Sequence, residues 1–321
     1  AAGADCRPAS PFMATKARAD AALEAAGIGH TVIRPGLVIG RNAFGGTELL
    51  RAAAGLPLAH VEFAGAGAIQ CVAMSDLVDC VLRAVADPSG NVGRFDLVER
   101  EGRPLGEIVT LHRAWLGFGP ARLHARLPIV ALKPVSLVAD LLGWLGWRSP
   151  LRANSIAALV QGVTGDADEA MRILGREPLS LPEALAVLGP AGKADRWHAR
   201  LALLYPLAFA ALALLWLASG AISLFRIEAA MQVPIDGGME RGLARFCVIG
   251  GSLADLAIGI GLLVRPWCSI ALKAGIALTL VYIAGSLAMR PDLWLDPLGP
   301  MLKTLPILAL SLACLAMAGE R

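Results

Sequence analysis

Tyrosine occurs only twice in the 321 residues, charged side chains make up 17% of them, and no two cysteines form a C-x-x-C pair. The charged share falls below the roughly 25% usual in soluble chains, so a purely soluble fold is already strained. Cys6, Cys71, Cys80, Cys247, Cys268 and Cys314 read as reduced small hydrophobes rather than as a metal or redox site. His30, His60, His112, His124 and His198 never stand at i, i+4, which excludes a helical metal face and suggests surface or strand-end positions. The net charge of +3 is spread out without a basic run, so no footprint for nucleic acid exists. No G-x-G-x-x-G follows a strand, and the Gly pairs at 45–46, 237–238 and 250–251 lack that context. Nothing before Pro11 resembles a signal peptide, and with alanine as the first residue an upstream part of the chain is expected to be missing.

What is present is uneven. Residues 1–200 hold 21 Lys/Arg and 19 Asp/Glu, whereas the last 121 residues hold 8 and 7. A soluble half, residues 1–190, is expected to join a membrane half, residues 201–321, through a linker at 191–200.

In the soluble half, Ser10 followed by PFMATKARADAALEAAG reads as a helix with Ser at the N-cap, Pro at the first helical position and Gly27 as its stop. HTVIR (30–34) is a short strand that Pro35-Gly36 breaks, and a Gly-rich loop leads to a helix over 47–54. IQCVAM (69–74) and RFDLV (94–98) read as strands flanking a helix that ends near Ala86, and a further helix covers 105–116. This alternation predicts an α/β region with parallel strands. The apolar stretch 128–147 carries Lys133, Pro134 and Asp140, and both burial against the soluble region and an in-plane membrane contact fit it.

Phe12-Met13-Ala14-Thr15-Lys16, TVIRPGLVIG (31–40), MSDLVDCVLRAV (74–85) and FDLVEREGRPLGEIV (95–109) stand in an order that resembles the C-terminal half of an extended short-chain dehydrogenase/reductase of the NAD-dependent epimerase/dehydratase type. More narrowly they are similar to the atypical group related to the complex I 39-kDa subunit. The resemblance covers residues 1–190 and implies a partial Rossmann-like domain whose N-terminal half, with the glycine fingerprint, lies upstream. It implies NAD or NADP as cofactor in the full-length protein, and this chain alone as inactive. Members carry Tyr-x-x-x-Lys on one helix face, so that the ammonium lowers the phenol pKa and bonds the nicotinamide ribose. Phe12 stands at the Tyr position and cannot pass a proton. Lys16 carries over as cofactor-binding and catalytic, against the plain alternative of a solvated lysine. By the same resemblance Pro35, Gly36, Leu37 and Val38 contact the nicotinamide end, against a simple strand stop. Arg41 and Asn42 meet a substrate or cap the next turn.

Residues 201–225 contain no charge, enough at 1.5 Å per residue to cross a core of about 30 Å. Further spans are expected near 246–264, 267–289 and 298–318, giving an all-α four-helix transmembrane bundle. Trp197, Trp216, Trp267 and Trp294 mostly mark interfaces, and Gly250, Gly251, Ser252, Ala254 and Gly259 supply a small-residue packing face. The bundle, most clearly WLDPLGPMLKTLPILAL (294–310), resembles the DoxX-like family, some of whose relatives accompany quinone-linked oxidation. Basic residues near the span ends divide five against five and give no orientation. A bacterial inner membrane with the soluble half in the cytoplasm is implied by the resemblance.

Asp255 falls at the middle of the second span, where an ionisable group costs roughly 2.5–3.5 kcal/mol unless partnered. Counting from the turn at Arg265-Pro266 places Lys273 within about 5 Å of its depth. The expected Asp255–Lys273 pair either fixes helix register or forms a proton or quinone site.

These features predict a membrane-anchored NAD(P)-binding oxidoreductase acting on a hydrophobic, membrane-dissolved substrate. The alternatives are a non-catalytic redox-sensing or assembly module, and a quinone-associated membrane subunit.

Overall fold

The structure, a computed structural model, describes residues 2, 11–87, 93–147, 149 and 151–318, and of residues 11 and 12 the backbone only. The cap expected at Ser10, and Cys6, lie outside the described residues. The chain divides into two compact units: Ala1–Leu141 with Ser149–Leu203, and Leu142–Arg148 with Leu204–Arg321.

The first unit begins with α1 (Pro11–Ala25), which ends before Gly27 in the left-handed conformation that glycine adopts at no steric cost. Next along the chain are β1 (Thr31–Pro35), β2 (Leu37–Ile39), α2 (Gly46–Ala54), β3 (Ala59–Ala64), β4 (Cys71–Ala73), α3 (Met74–Ala86) and β5 (Gly93–Leu97). Then come α4 (Leu105–Trp115), β6 (Leu123–Pro128), α5 (Lys133–Trp144), α6 (Ala153–Gln161), α7 (Asp168–Leu174) and α8 (Leu181–Val187). The strands pair in parallel as β1–β5, β2–β4 and β3–β6. The region is thus α/β with small parallel sheets, and among the described residues the pairs form three two-stranded sheets.

The strand β4 explains how the helices come to cover both faces. Its three residues are all buried, and successive side chains point to opposite faces. Cys71 and Ala73 join Ile39, Leu50, Ile108 and Leu181 in one apolar cluster, while Val72 joins Phe95, Leu97 and Leu174 in another. A strand buried on both faces reads as a continuous apolar run, which is the pattern of 69–74. Polar groups tie the ends: Arg34 on β1 holds Asp20 of α1 at 2.5 Å, and Arg113 donates to the carbonyls of Ala54, the last residue of α2, and of Leu56 beyond it.

His112 departs from the surface or strand-end placement expected of the histidines, whereas the buried His60 stands near the start of β3. His112 is 1% exposed on α4, and burial pushes its pKa below the ordinary value. The unfolded chain therefore binds the proton that folded His112 refuses, so stability falls as pH drops through the ordinary histidine value. Urea titrations of His112→Gln should lack this part of the pH dependence; identical slopes for the two proteins would show that another group supplies it.

The segment 128–147 is largely exposed. Only Ser136 and Ala139 of α5 are buried, and Leu137, Val138, Leu141 and Trp144 are exposed. Most of the stretch expected as a linker is helical, since α9 (Lys193–Phe225) begins there, with Gly192 N–H donating to Asp195 in its first turn.

Beyond α9, the second unit contains α10 (Ile227–Asp236), α11 (Arg241–Leu263), α12 (Cys268–Met289) and α13 (Thr304–Ala318). Among the described residues three helices are long and apolar enough to cross a membrane, those at 193–225, 241–263 and 265–289, and α13 is a shorter apolar helix of 15 residues. The expected fourth span over 298–318 is therefore shorter than drawn, because helix starts only at Thr304. α10, between the first two spans, was not expected. Trp216 is no interfacial anchor: it is buried beside Ile258 and Leu272.

Candidate functional site: an intramembrane carboxylate

Asp255 lies on α11 ten residues before Arg265, about 15 Å along the helix, and is 3% exposed. Its two carboxylate oxygens are satisfied from two different helices. Ser219 Oγ on α9 donates to Oδ2 at 2.8 Å, and Tyr282 OH on α12 donates to Oδ1 at 2.9 Å. Where no water competes, a buried carboxylate needs such donors, and hydrogen bonds to a charged group are the strong ones.

Two glycines make room for this triad. A Cβ on Gly220 would stand 2.6 Å from the Ser252 carbonyl oxygen and 3.1 Å from the Asp255 Cβ, so α9 and α11 meet backbone to backbone beside Ser219. A Cβ on Gly251 would stand 2.9 Å from the Tyr282 hydroxyl. Gly259 continues the contact against Leu217, whereas Gly250 faces open space and is no part of the packing face expected of it.

The expected partner is replaced. Lys273 is exposed and makes no ion pair with Asp255. Depth along the helix was compatible; direction was not. Lys273 and Tyr282 are nine residues apart, which at about 100° per residue puts them on opposite faces of α12. Ser219, Tyr282 and Gly220 were missed, while Gly251 was expected in the packing face. The one available signal was that Tyr282 is one of two tyrosines in the chain, inside a span, where a buried hydroxyl needs a partner.

The residues expected to form a nucleotide site are arranged otherwise. Lys16 is exposed on α1, and of Phe12 only the backbone is described. The amides of Gly36 and Leu37 donate to the carbonyls of Leu97 and Gln70, and a Cβ on Gly36 would stand 2.5 Å from the Gln70 oxygen. The Pro35 carbonyl accepts from the Ala2 amide, and Val38 pairs with Val72 in the sheet. Arg41 donates to the Leu188 carbonyl at 3.0 Å, fastening the end of α8, and Asn42 beside it is exposed.

Comparison with known proteins bears on the second unit. Residues 213–312 match the DoxX-like family. These residues form a DoxX-like domain. It takes in the last 13 residues of α9, all of α10, α11 and α12, and the greater part of α13, and hence the whole Asp255 triad. No curated protein matches the chain. Among solved structures, the crystal structure of gox2253 matches with 19% identity and a TM-score of 0.37, covering 58% of this chain and 54% of that one. The chain thus spans about half the length of that protein.

Proposed function

We propose that the protein is a membrane-anchored oxidoreductase of the short-chain dehydrogenase/reductase superfamily, which in its full length binds NAD or NADP and acts on a hydrophobic, membrane-dissolved substrate. The observation that carries this reading is the joining, in one chain, of an α/β region built on parallel strand pairs to a DoxX-like domain. The first half would stand in the cytoplasm beside a bacterial inner membrane, where nicotinamide cofactors are found. The pyrophosphate requires a glycine-rich turn that none of the described strands supplies, so it falls to residues upstream. With the Gly36 and Leu37 amides engaged in the sheet, the nicotinamide end would be met by other groups along 35–38 and by Lys16. A bound nicotinamide supplies or accepts hydride. Phe12 cannot move the accompanying proton, so a separate group must.

Full-length protein in lipid nanodiscs, titrated with NADPH and NADH, tests this directly. Lys16→Ala is expected to weaken binding about tenfold, the loss of one hydrogen bond from a charged donor. Unchanged affinity removes Lys16 from the site, and no binding by the parent protein overturns the reading. Binding without hydride transfer to any acceptor makes the protein a non-catalytic redox-sensing module.

A second reading, favoured by the Asp255–Ser219–Tyr282 triad, places the chemistry in the bundle. There the chain acts as a quinone-associated membrane subunit, and Asp255 takes up the proton that accompanies quinone turnover. Its test is the Asp255→Asn variant taken up in the Discussion.

A further inference from the structure

The helix α5 has two unlike sides. On a 100° wheel, its Pro134, Leu137, Val138, Leu141 and Trp144 fall within an arc of about 120°. All are exposed; Leu137 is 63% and Trp144 86% accessible. The opposite side carries the buried Ser136 and Ala139 and, next to them, Asp140, whose carboxylate accepts from Arg152 Nε at 3.0 Å. Contiguous apolar surface of this kind is not kept in water, where each Å² left uncovered forgoes about 25 cal/mol.

The residues just past α5 fix the depth of its C-terminal end. Leu145 O accepts from the Arg265 amide at 2.8 Å, and Trp147 Nε1 donates to the Leu263 carbonyl at 2.6 Å. The Arg265 guanidinium stands 5.4 Å over the Trp147 ring, whose edge meets Phe209. Gly146, at φ 91°, allows the approach, since a Cβ there would come within 3.0 Å of the Arg265 Cβ. Arg265–Trp267 is the 3₁₀ turn that joins the membrane helices α11 and α12, so it belongs at the membrane surface. The last turn of α5, one residue from Leu145, ends at that level, where tryptophan is favoured.

We propose that α5 lies in the plane of the membrane, with Leu137, Val138, Leu141 and Trp144 in the boundary between acyl chains and headgroups. The occupant of the exposed face is the lipid itself. The surface turn to which the segment is fastened is continuous with the bilayer, the apolar arc is a single stripe ending in tryptophan, and Lys133 stands at its edge within reach of phosphate. The inference depends on the membrane position of the DoxX-like domain and not on any nucleotide chemistry.

The full chain is reconstituted into nanodiscs of phosphatidylcholine and phosphatidylglycerol, with and without phosphatidylcholine brominated near the carbonyl end of its acyl chains. Subtracting the fluorescence of Trp144→Phe from that of the parent isolates the Trp144 emission. It is expected to be blue-shifted and to lose roughly half or more of its intensity to the brominated lipid, as a side chain about 5–10 Å deep would. In a parent background of Leu137→Asp with Leu141→Asp, the same difference emission is expected to move to the aqueous position and escape that quenching. Aqueous emission in the unsubstituted protein overturns the proposal. So does a blue-shifted emission that the brominated lipid leaves untouched, since a protein surface, such as a second copy, would then cover the face. Trp144 quenching unaltered by the two aspartates overturns it as well.

Discussion

Asp255→Ala is expected to destabilise the DoxX-like domain by about 1–3 kcal/mol, measured by reversible unfolding in bicelles. The substitution leaves two hydroxyls without their acceptor, and they are not equally affected. Ser219 can turn its hydroxyl to a carbonyl one turn back on its own helix, as Ser252 already does toward Val248. Tyr282 is too long to do so, and its phenol is left in the space cleared by Gly251. Against this stands the cost of carrying a carboxylate, but an unfolded chain still in the bilayer carries it too, so that gain largely cancels. Hydrogen bonds between membrane helices average only about 0.6 kcal/mol, with a maximum near 1.7, which sets the upper part of the range as a limit reached by two bonds together. Tyr282→Phe in the Asp255→Ala background should add little, because the bond is already gone. A fully additive double variant, or an Asp255→Ala protein as stable as the parent, would show that the triad holds nothing together. Asp255→Asn keeps an acceptor for Tyr282 and should remain close to the parent in stability. If the bundle works on a quinone, the same variant should lose proton-coupled turnover while staying folded; unchanged turnover eliminates Asp255 as the proton carrier.

A larger loss is expected in the first unit from Glu99→Ala. Glu99 is 1% exposed, just past β5, and its carboxylate accepts from the Cys71 amide and from the Leu181 amide, each at 2.8 Å, with Arg103 Nε at 3.6 Å. Leu181 opens α8, so the negative charge also sits at a helix N-terminus. Removing one member of a buried charged network costs about 3–5 kcal/mol, a large share of the roughly 5–15 kcal/mol that holds a domain folded. Burial by itself pushes the Cys71 thiol up, so Cys71 does not take over the charge. Pulse proteolysis of the full chain in detergent should find the first unit cleaved at markedly lower urea, with Glu99→Gln intermediate because its amide retains one acceptor oxygen. A shift worth less than about 1 kcal/mol would mean that water replaces the carboxylate.

Neither of these two centres was visible as such in the sequence. Glu99 belongs to VEREGR, a run that reads as a solvated turn, and only the return of the chain at Leu181 makes it a cap. Ser219 and Tyr282 stand 36 and 27 residues from Asp255, and sequence spacing gives helix depth without giving helix direction. The local signals were legible: Gly27 as a stop, the apolar run through β4, and the uncharged stretch that became α9. β6 escaped because LHARLP is exposed along its whole length and has no alternation to detect. β2 escaped because three residues among glycines look like a loop until Leu37, Val38 and Ile39 are paired with Cys71, Val72 and Ala73.

The 15 described residues of α13 are about 22 Å long, while the hydrocarbon core of an average bilayer is about 30 Å. Lipids beside this helix must shorten or tilt, at a fraction of a kcal/mol for each Å of mismatch. The described lengths of α9, α11 and α12 impose no such demand, so the mismatch is confined to the side of α13. A thinner bilayer relieves that deformation, which gives lipid chain length a direct influence on where in a membrane the protein prefers to reside.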